Sequence, residues 1–216
     1  MATIALFGAS GKTGRILLSK LLLKGHTVKA LVRNPAKLAN IKESRLVVVE
    51  GDALDEDSVL MTLRNSDAVI NVIGHVKGCP PDLQVQASVL IIKGMKKLGM
   101  MRLIDLTGSA VTVDGDNPGF FDKMVAFAMK NLLGKAVKHR FTDGENHVRI
   151  ISKSKLDWTV VRAPVLLKGK AKGKTRTGLV GHIPGFSLMY EDLTDEIVKI
   201  LEEKSYIRQY PYITNG

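Results

Sequence analysis

A short glycine-rich segment near the N-terminus constrains the fold of this chain more than any other feature. Gly8, Gly11 and Gly14 follow an apolar run at residues 4–7, and residues 15–23 then carry apolar side chains at helical spacing. A strand, a glycine turn and a helix in this order leave the amides and the partial positive charge of a helix N-terminus free for an anion. Glycine also lets the backbone approach a pyrophosphate closely, so the segment predicts a dinucleotide phosphate site.

A second predicted strand, at residues 26–32, follows a turn at residues 24–25 and completes a β-α-β unit of about 30 residues. Arg33 stands at its end, where an Asp or Glu would bind the ribose 2′-hydroxyl of NAD. A carboxylate would repel a 2′-phosphate, whereas a guanidinium can pair with it through two hydrogen bonds. Lys12 in the glycine turn is a second cation within reach. The pattern therefore predicts NADPH in preference to NADH, with a solvated strand-end arginine as the alternative.

The rest of the chain repeats this alternation of apolar strands and helices. Strands are predicted at residues 46–50, 68–73, 102–106 and 158–162, and helices at residues 58–64, 83–98, 143–153 and 193–203. Apolar strands without regular polar alternation, joined through helices, indicate a parallel sheet that is covered on both faces. We therefore predict an α/β fold with a doubly wound, Rossmann-like parallel sheet. It forms a single domain over residues 1–216 with a small C-terminal region on the substrate side.

The composition limits the classes of ligand that we expect the protein to bind. The net charge is +11, and the densest basic cluster is residues 168–176, where lysines alternate with small residues. No aromatic residue interrupts this cluster, so it offers no platform for base stacking and specific nucleic-acid binding is not expected. A solvated basic loop beside a pocket for an anionic substrate is favoured instead. The single cysteine, Cys79, excludes an internal disulfide and a cysteine-based zinc cluster, and we predict no metal site.

The distribution of apolar residues gives no reason to expect a membrane protein. No apolar run approaches the roughly 20 residues that span a bilayer, and no signal peptide precedes the first predicted strand. We therefore expect a cytoplasmic protein without a membrane partner. The sequence leaves the oligomeric state open, with a monomer slightly favoured.

Five segments occur in an order that is found in a known group of proteins. They are residues 7–14, 31–35, 51–52, 67–70 and 156–162. Together they resemble the atypical short-chain dehydrogenase/reductase group of NAD(P)H-binding proteins. This group includes the biliverdin IX-beta reductase/flavin reductases and the NmrA-like proteins. The resemblance covers the chain from about residue 3 to about residue 201.

The resemblance implies roles for individual residues. Ser10, Lys12 and Thr13 would bind the pyrophosphate or the 2′-phosphate together with the glycine turn, and Arg33 would select NADP. The remaining positions that it assigns to the cofactor, from the adenine through the ribose to the nicotinamide, are Asp52, Ala53, Gly74, His75, Thr107, Pro164 and Val165. Asp52 has the alternative role of a turn acid, and His75 that of a strand-end histidine.

The sequence departs from the group where the proton donor is expected. Ordinary short-chain reductases use a Tyr-x-x-x-Lys pair, in which the lysine lowers the pKa of the tyrosine. The nearest alignment places Arg140 and Gly144 at those two positions. Val165 stands where the flavin reductases carry a histidine, and Ser109 alone matches the serine of their pocket. Ser109 is therefore the candidate catalytic residue, with a turn serine that caps the backbone as the alternative.

The missing acid favours one class of acceptor. Flavins, quinones and tetrapyrroles accept hydride at an electron-poor centre, and water can supply the proton, so positioning carries much of the rate. We therefore predict an NADPH-dependent reductase of a small conjugated acceptor, planar and anionic. Its pocket would lie at the carboxyl ends of the strands, near Tyr190 and the amphipathic residues 120–133. The alternative is a non-catalytic, NAD(P)-sensing regulatory or binding protein of the NmrA-like type.

Overall fold

The computed structural model describes residues 1–120, 123–124, 127 and 135–215, with the backbone alone at residues 135 and 136. Its strands are β1 (Thr3–Phe7), β2 (Thr27–Val32), β3 (Leu46–Glu50), β4 (Ala68–Asn71), β5 (Arg102–Gly108), β6 (Asp157–Ala163), β7 (Val165–Leu167), β8 (Thr175–Gly178), β9 (Ser187–Met189) and β10 (Tyr212–Asn215). Its helices are α1 (Lys12–Leu23), α2 (Glu56–Leu63), α3 (Leu83–Lys97), α4 (Lys135–Ser152) and α5 (Tyr190–Glu203), with a short 3-10 helix at Pro35–Leu38.

The central sheet has eight strands in the order β3-β2-β1-β4-β5-β6-β10-β8. The strands from β3 to β10 run parallel, and β8 alone pairs antiparallel, at the edge beside β10. Strands β7 and β9 form a separate parallel pair. The chain winds outward in both directions from β1 and β4, where the strand order reverses, so the predicted doubly wound α/β fold is confirmed.

Both faces of the inner strands of the sheet are buried, which explains why these strands lack polar alternation. In β1, Ile4 and Leu6 join one core with apolar residues of α1 and α5, whereas Ala5 and Phe7 join a second core with those of α2 and α3. Successive side chains of a strand point to opposite faces, so a strand covered on both faces is apolar throughout.

The observed elements differ from the predicted ones mainly at their ends. Helix α4 begins at Lys135 rather than at residue 143, and the predicted strand at residues 68–73 ends at Asn71. Strands β7 to β10 were not predicted from the sequence. Among them, β8 has the polar sequence TRTG, and it is held by antiparallel pairing with β10. The C-terminal strand β10 therefore lies within the central sheet, beside β6.

Within the described part of the chain, no helix is both long enough and apolar enough to cross a membrane.

Candidate dinucleotide and acceptor site

The glycine turn brings β1, β4 and α1 unusually close together. Gly8 has a φ of +85°, and a Cβ at this position would lie 2.8 Å from the carbonyl carbon and oxygen of Val72. A Cβ on Gly14 would overlap the carbonyl oxygen of Gly8 and lie 2.8 Å from Cα of Ala9. Gly11 precedes α1 and supplies no side-chain cap, so the first amides of the helix remain available to a ligand. The local geometry is that of an anion site at a helix N-terminus.

A cleft of about 200 Å³ opens beside this turn, at the carboxyl ends of β1, β2 and β3. We call it the glycine-turn cleft. The predicted cofactor residues that line it are Gly8, Ser10, Gly11, Arg33, Asp52, Ala53 and Gly74. Lys37, which was not among them, lines the cleft near Arg33, and both side chains are exposed. The end of β2 thus presents two cations to the cleft.

Asp52 shapes a turn and also lines the glycine-turn cleft. Its Oδ1 accepts a 3.0 Å hydrogen bond from the amide of Leu54, which shapes the turn after β3. The same residue lines the glycine-turn cleft. Gly14 is buried at the contact between α1 and the turn, and Lys12 is exposed at the first position of α1. These two residues do not line the cleft, so any part that Lys12 plays must come through its long exposed side chain.

A larger cavity of about 550 Å³ continues from the cleft along the carboxyl ends of β4, β5 and β6. We call it the strand-end cavity. Val72, Ile73 and Gly74 line both spaces, so the two are neighbours along the sheet edge. The predicted site residues that line the strand-end cavity are Thr13, Gly74, His75, Thr107 and Pro164. A ligand that crosses the junction can therefore touch both sets of predicted residues.

Helix α4 forms one wall of the strand-end cavity. Arg140 and Gly144, one turn apart, both line it, and these are the positions aligned with the missing Tyr-x-x-x-Lys pair. Arg140 is exposed, and it places a guanidinium at the cavity. A Cβ on Gly144 would lie 3.2 Å from a methyl group of Val111 across the cavity wall. The helix thus carries the Arg140 guanidinium where the aligned tyrosine would carry a phenol. At the lysine position it carries Gly144, which packs closely against Val111.

Ser109 and Val165 lie at the margin of this cavity. The amide of Ser109 donates a 2.8 Å hydrogen bond to the carbonyl of Ala163, and its neighbours Gly108 and Ala110 line the cavity while Ser109 does not. Val165 is 66% exposed on β7, and the next residue, Leu166, lines the cavity instead. The structure therefore brings these two predicted residues close to the cavity but not into its wall.

A chain of buried, hydrogen-bonded polar side chains joins β4, β5 and α4 behind the cavity. The side-chain amide of Asn71 donates a 2.7 Å hydrogen bond to Oδ2 of Asp105, and Nε2 of His147 lies 2.8 Å from Oδ1 of the same carboxylate. All three side chains are buried. Sequence analysis missed Asp105 and His147, although an Asp inside the apolar run Leu103–Leu106 was a signal that a buried partner must exist.

The pKa of His147 in this group of side chains is set by competing effects. Burial opposes the charged form of His147 and lowers its pKa, but the Asp105 carboxylate raises it, by its charge and by a hydrogen bond. Asp143 and the backbone at Gly144 raise it further, and the net pKa of His147 lies above its usual range. His147 and Asp105 thus form a buried ion pair when the imidazole is protonated.

A second histidine, His75, is held by Asp143 at the edge of the cavity. Nε2 of His75 lies 3.0 Å from Oδ2 of Asp143. The Asp143 carboxylate also accepts the amides of Gln84 at 2.8 Å and Val85 at 3.0 Å, in the first turn of α3. Asp143 therefore caps α3 and orients an imidazole at the same time. Sequence analysis missed it, since 68 positions separate it from His75 in the chain.

The loop after β5 is fixed by a buried ion pair. Arg162 is fully buried, and its Nη1 and Nη2 lie 2.6 and 2.8 Å from the two oxygens of Asp116. Asp116 also accepts the amides of Val113 and Val180. This ion pair is bidentate, and the carboxylate oxygens also accept backbone hydrogen bonds. Such a geometry offsets the cost of burying both charges. This pair holds the roof of the strand-end cavity, which includes Val111.

The basic segment at residues 168–176 is anchored near its middle. The amides of Lys172 and Gly173 each donate a 2.9 Å hydrogen bond to the buried carboxylate of Asp192. Burial raises the pKa of Asp192, but these amides, the Asn215 side chain and Lys20 outweigh it, so the net pKa lies below its usual range. The lysine side chains of the segment are exposed, and its last residues, Thr175 and Arg176, begin β8.

The amphipathic stretch at residues 120–133 lies largely outside the described residues. Its described apolar members, Phe120, Met124 and Phe127, have exposed side chains. Tyr190 begins α5 and does not line either cavity.

Comparison with known proteins identifies the family. A family model described as NAD(P)H-binding matches residues 8–204. Dihydroflavonol 4-reductase from Zea mays is 31% identical over 127 residues, which is 52% of this chain and 36% of that protein. The chain thus spans little more than a third of that relative's length. The chain belongs to the NAD(P)H-binding family, which confirms the membership that its motifs predicted.

Solved structures show the same fold over the whole chain. A short-chain dehydrogenase/reductase from Veillonella parvula DSM 2008, in complex with NADP, has a TM-score of 0.82 at 17% identity and covers 100% of this chain and 96% of its own. ChuY, an anaerobillin reductase from Escherichia coli O157:H7, has a TM-score of 0.79 at 21% identity and covers 99% of this chain and 97% of its own.

Proposed function

We propose that this protein is an NADPH-dependent oxidoreductase that transfers hydride to a conjugated acceptor such as a flavin, a quinone or a tetrapyrrole. One observation carries the proposal. The glycine-turn cleft and the strand-end cavity meet at Val72, Ile73 and Gly74, at the carboxyl edge of a doubly wound sheet. A dinucleotide bound by its phosphates at the glycine turn would therefore extend its nicotinamide toward the strand-end cavity.

The preference for NADPH over NADH is supported by charge at the end of β2. Arg33 and Lys37 line the glycine-turn cleft where a NAD-specific site would carry a carboxylate. Two exposed cations favour a 2′-phosphate over a neutral hydroxyl. The residues proposed to contact the phosphates are Ser10, Gly11 and Thr13, with Lys12 as an additional cation.

The acceptor class is supported by the walls of the strand-end cavity. Most of its lining is apolar, which suits a flat conjugated ring system, and the apolar residues include Val72, Ile73, Leu106, Ala110, Val111, Phe141 and Leu166. Arg140 supplies a cation at the same wall, which suits a carboxylate or phosphate on the acceptor. We therefore propose a planar, anionic acceptor.

The type of acceptor also follows from the acid that the sequence lacks. The tyrosines of the chain are Tyr190, Tyr206, Tyr210 and Tyr212, and none precedes a lysine by four positions. Without that pair, the developing alkoxide of a simple ketone has no phenol to protonate it. An acceptor that spreads the incoming electron pair over a conjugated system needs less help from the protein.

The decisive experiment follows NADPH by its absorbance in the presence of flavin mononucleotide, menadione or biliverdin, and measures NADPH binding separately. We expect oxidation with at least one acceptor. Lys97→Ala is a suitable control, because Lys97 is an exposed residue of α3 that lines neither cavity. Tight binding of NADPH with no oxidation by any acceptor would overturn the proposal in favour of a non-catalytic NAD(P)-sensing protein.

A further inference from the structure

His75 lies where the two cavities meet. It follows directly on Val72, Ile73 and Gly74, which line both spaces, and it lines the strand-end cavity alone. A dinucleotide that enters from the glycine-turn cleft must pass this junction before its nicotinamide reaches the strand-end cavity. The side chain of His75 is 8% exposed, so the protein encloses it on most sides. It is therefore an imidazole in a restrained position at the junction of the two cavities.

The orientation of this imidazole is fixed by its acceptors. Nε2 lies 3.0 Å from Oδ2 of Asp143 and 3.3 Å from the carbonyl of Pro81. Because both partners accept hydrogen bonds, Nε2 carries a hydrogen. Asp143 cannot swing away, since its two oxygens also accept the amides of Gln84 and Val85. These contacts leave Nδ1 as the nitrogen that can exchange a proton with a ligand.

We propose that His75, oriented by Asp143, protonates the acceptor during its reduction, an inference that rests on the proposed function. Hydride leaves C4 of the nicotinamide for an electron-poor carbon of the acceptor, and the displaced π electrons move to a conjugated nitrogen or oxygen. That atom takes the proton from Nδ1 of the His75 imidazolium. NADPH is oxidised to NADP⁺, the acceptor gains two electrons and two hydrogens, and the neutral imidazole takes a proton from solvent.

Ionisable groups of both signs lie near His75. The ionisable groups on the elements that pack here are Asp143, Arg140 and His147 on α4, Asp105 on β5, Asp82 beside α3, and Lys77 and Cys79 in the loop of His75 itself. Of these, Asp143 is in direct contact with the ring. Asp143 is therefore the positioning residue for the proton donor.

The test compares variants in single-turnover reduction of biliverdin and menadione by NADPH, in H₂O and in D₂O. His75→Gln keeps a donor to Asp143 but cannot release a proton. We expect its rate to fall on the order of 10²–10⁴-fold, with the NADPH Kd unchanged and the solvent isotope effect lost. His182→Gln is the matched control, because His182 is an exposed histidine that lines neither cavity.

The wild-type protein provides a test that does not depend on a variant folding. With His75 as the donor, the transferred proton exchanges with solvent, so the wild-type rate should be lower in D₂O than in H₂O. Asp143→Asn weakens the contact that orients the ring, so it should lower both the rate and the solvent isotope effect while NADPH binding is retained. A wild-type rate without a solvent isotope effect would overturn the inference.

The remaining outcomes separate this inference from the proposed function. An active wild-type protein with an equally active His75→Gln variant overturns the role of His75 and leaves the reductase intact. If His75→Gln raises the NADPH Kd but leaves the rate unchanged, His75 contacts the cofactor and is not the proton donor. Loss of the isotope effect in Ser109→Ala but not in His75→Gln would assign the proton to Ser109. A wild-type protein that binds NADPH but reduces no acceptor overturns both proposals.

Discussion

Arg33 is the side chain on which the cofactor preference depends most directly. It lines the glycine-turn cleft at the end of β2, where a carboxylate would select NAD. Arg33→Ala should weaken NADPH binding by about 1.5–3 kcal/mol, the range for a hydrogen bond to a charged group, and should leave NADH binding nearly unchanged. Fluorescence titration with both cofactors measures the two Kd values. Arg64→Ala is the control, because Arg64 is exposed and does not line the cleft.

Equal weakening of both cofactors in Arg33→Ala would contradict this prediction. Such a result would mean that Arg33 contacts a group that NADH and NADPH share.

Arg140 is the corresponding cation at the other end of the site. Riboflavin and flavin mononucleotide differ by one phosphate, so they isolate what this guanidinium contributes. Arg140→Ala should raise KM for flavin mononucleotide by roughly fivefold, or about 1 kcal/mol, because an exposed ion pair is screened by solvent. The KM for riboflavin should stay the same. A steady-state comparison of the two flavins in both proteins checks this, and a parallel rise for riboflavin would show that Arg140 shapes the wall rather than binding the anion.

At the scale of residues, the sequence predicted the half of the site that is local in the chain. Gly8, Gly11 and Gly14 fall within one turn and the start of one helix, so their spacing, together with the strand before them and the helix after them, predicts a phosphate site. The contacts of Asp143 with His75 and of Asp105 with His147 join elements that only the folded sheet brings together. No local pattern encodes these distances, so they could not be predicted from the sequence.

At the scale of elements, the approach of α1 to β1 is the contact that forms the proposed phosphate site. Gly14→Ala would place a methyl group against the backbone of Gly8 and Ala9, which cannot give way as a flexible side chain can. We expect a loss of about 1–3 kcal/mol in the free energy of unfolding, as for an overpacked core, and weaker NADPH binding. Urea denaturation and cofactor titration measure the two effects. Ser19→Ala, on the exposed side of the same helix, is the control.

A Gly14→Ala variant as stable as the wild type would show that α1 can shift outward without cost. Such a shift would still move α1 away from the glycine turn, so NADPH binding should remain weaker.

The strands that were predicted and those that were missed differ in what stabilises them. The strand predicted at residues 46–50 matches β3, because a short run of β-branched residues is a local signal. Strands β7 and β9 have three residues each and pair only with each other. Strand β8 is polar and depends on β10, which lies far along the chain. Pairing with distant segments stabilises these strands, so the residues of each strand alone do not predict it.

At the scale of the whole molecule, the buried polar side chains behind the site join β4, β5 and α4. Asn71 on β4, Asp105 on β5 and His147 on α4 bond to one another in sequence. Each is buried, so none can exchange its partner for water without opening the core. The side chains that support the site are therefore also among those that stabilise the fold, and their protonation should appear in the unfolding of the entire domain.

His147 makes that link measurable as a pH dependence of stability. Its pKa is raised in the folded protein above the ordinary value of 6.5. The stabilising contribution of its charge is then fully present below about pH 6.5 and is lost as the pH rises through the raised pKa. The free energy of unfolding from urea titrations should fall over this interval in the wild type. His147→Gln, with one polar group left for Asp105, should be less stable by about 1–3 kcal/mol and lack this component of the fall. His139→Gln, at an exposed position of the same helix, should retain it. An identical pH dependence in His147→Gln and wild type would mean that His147 stays neutral in the folded protein.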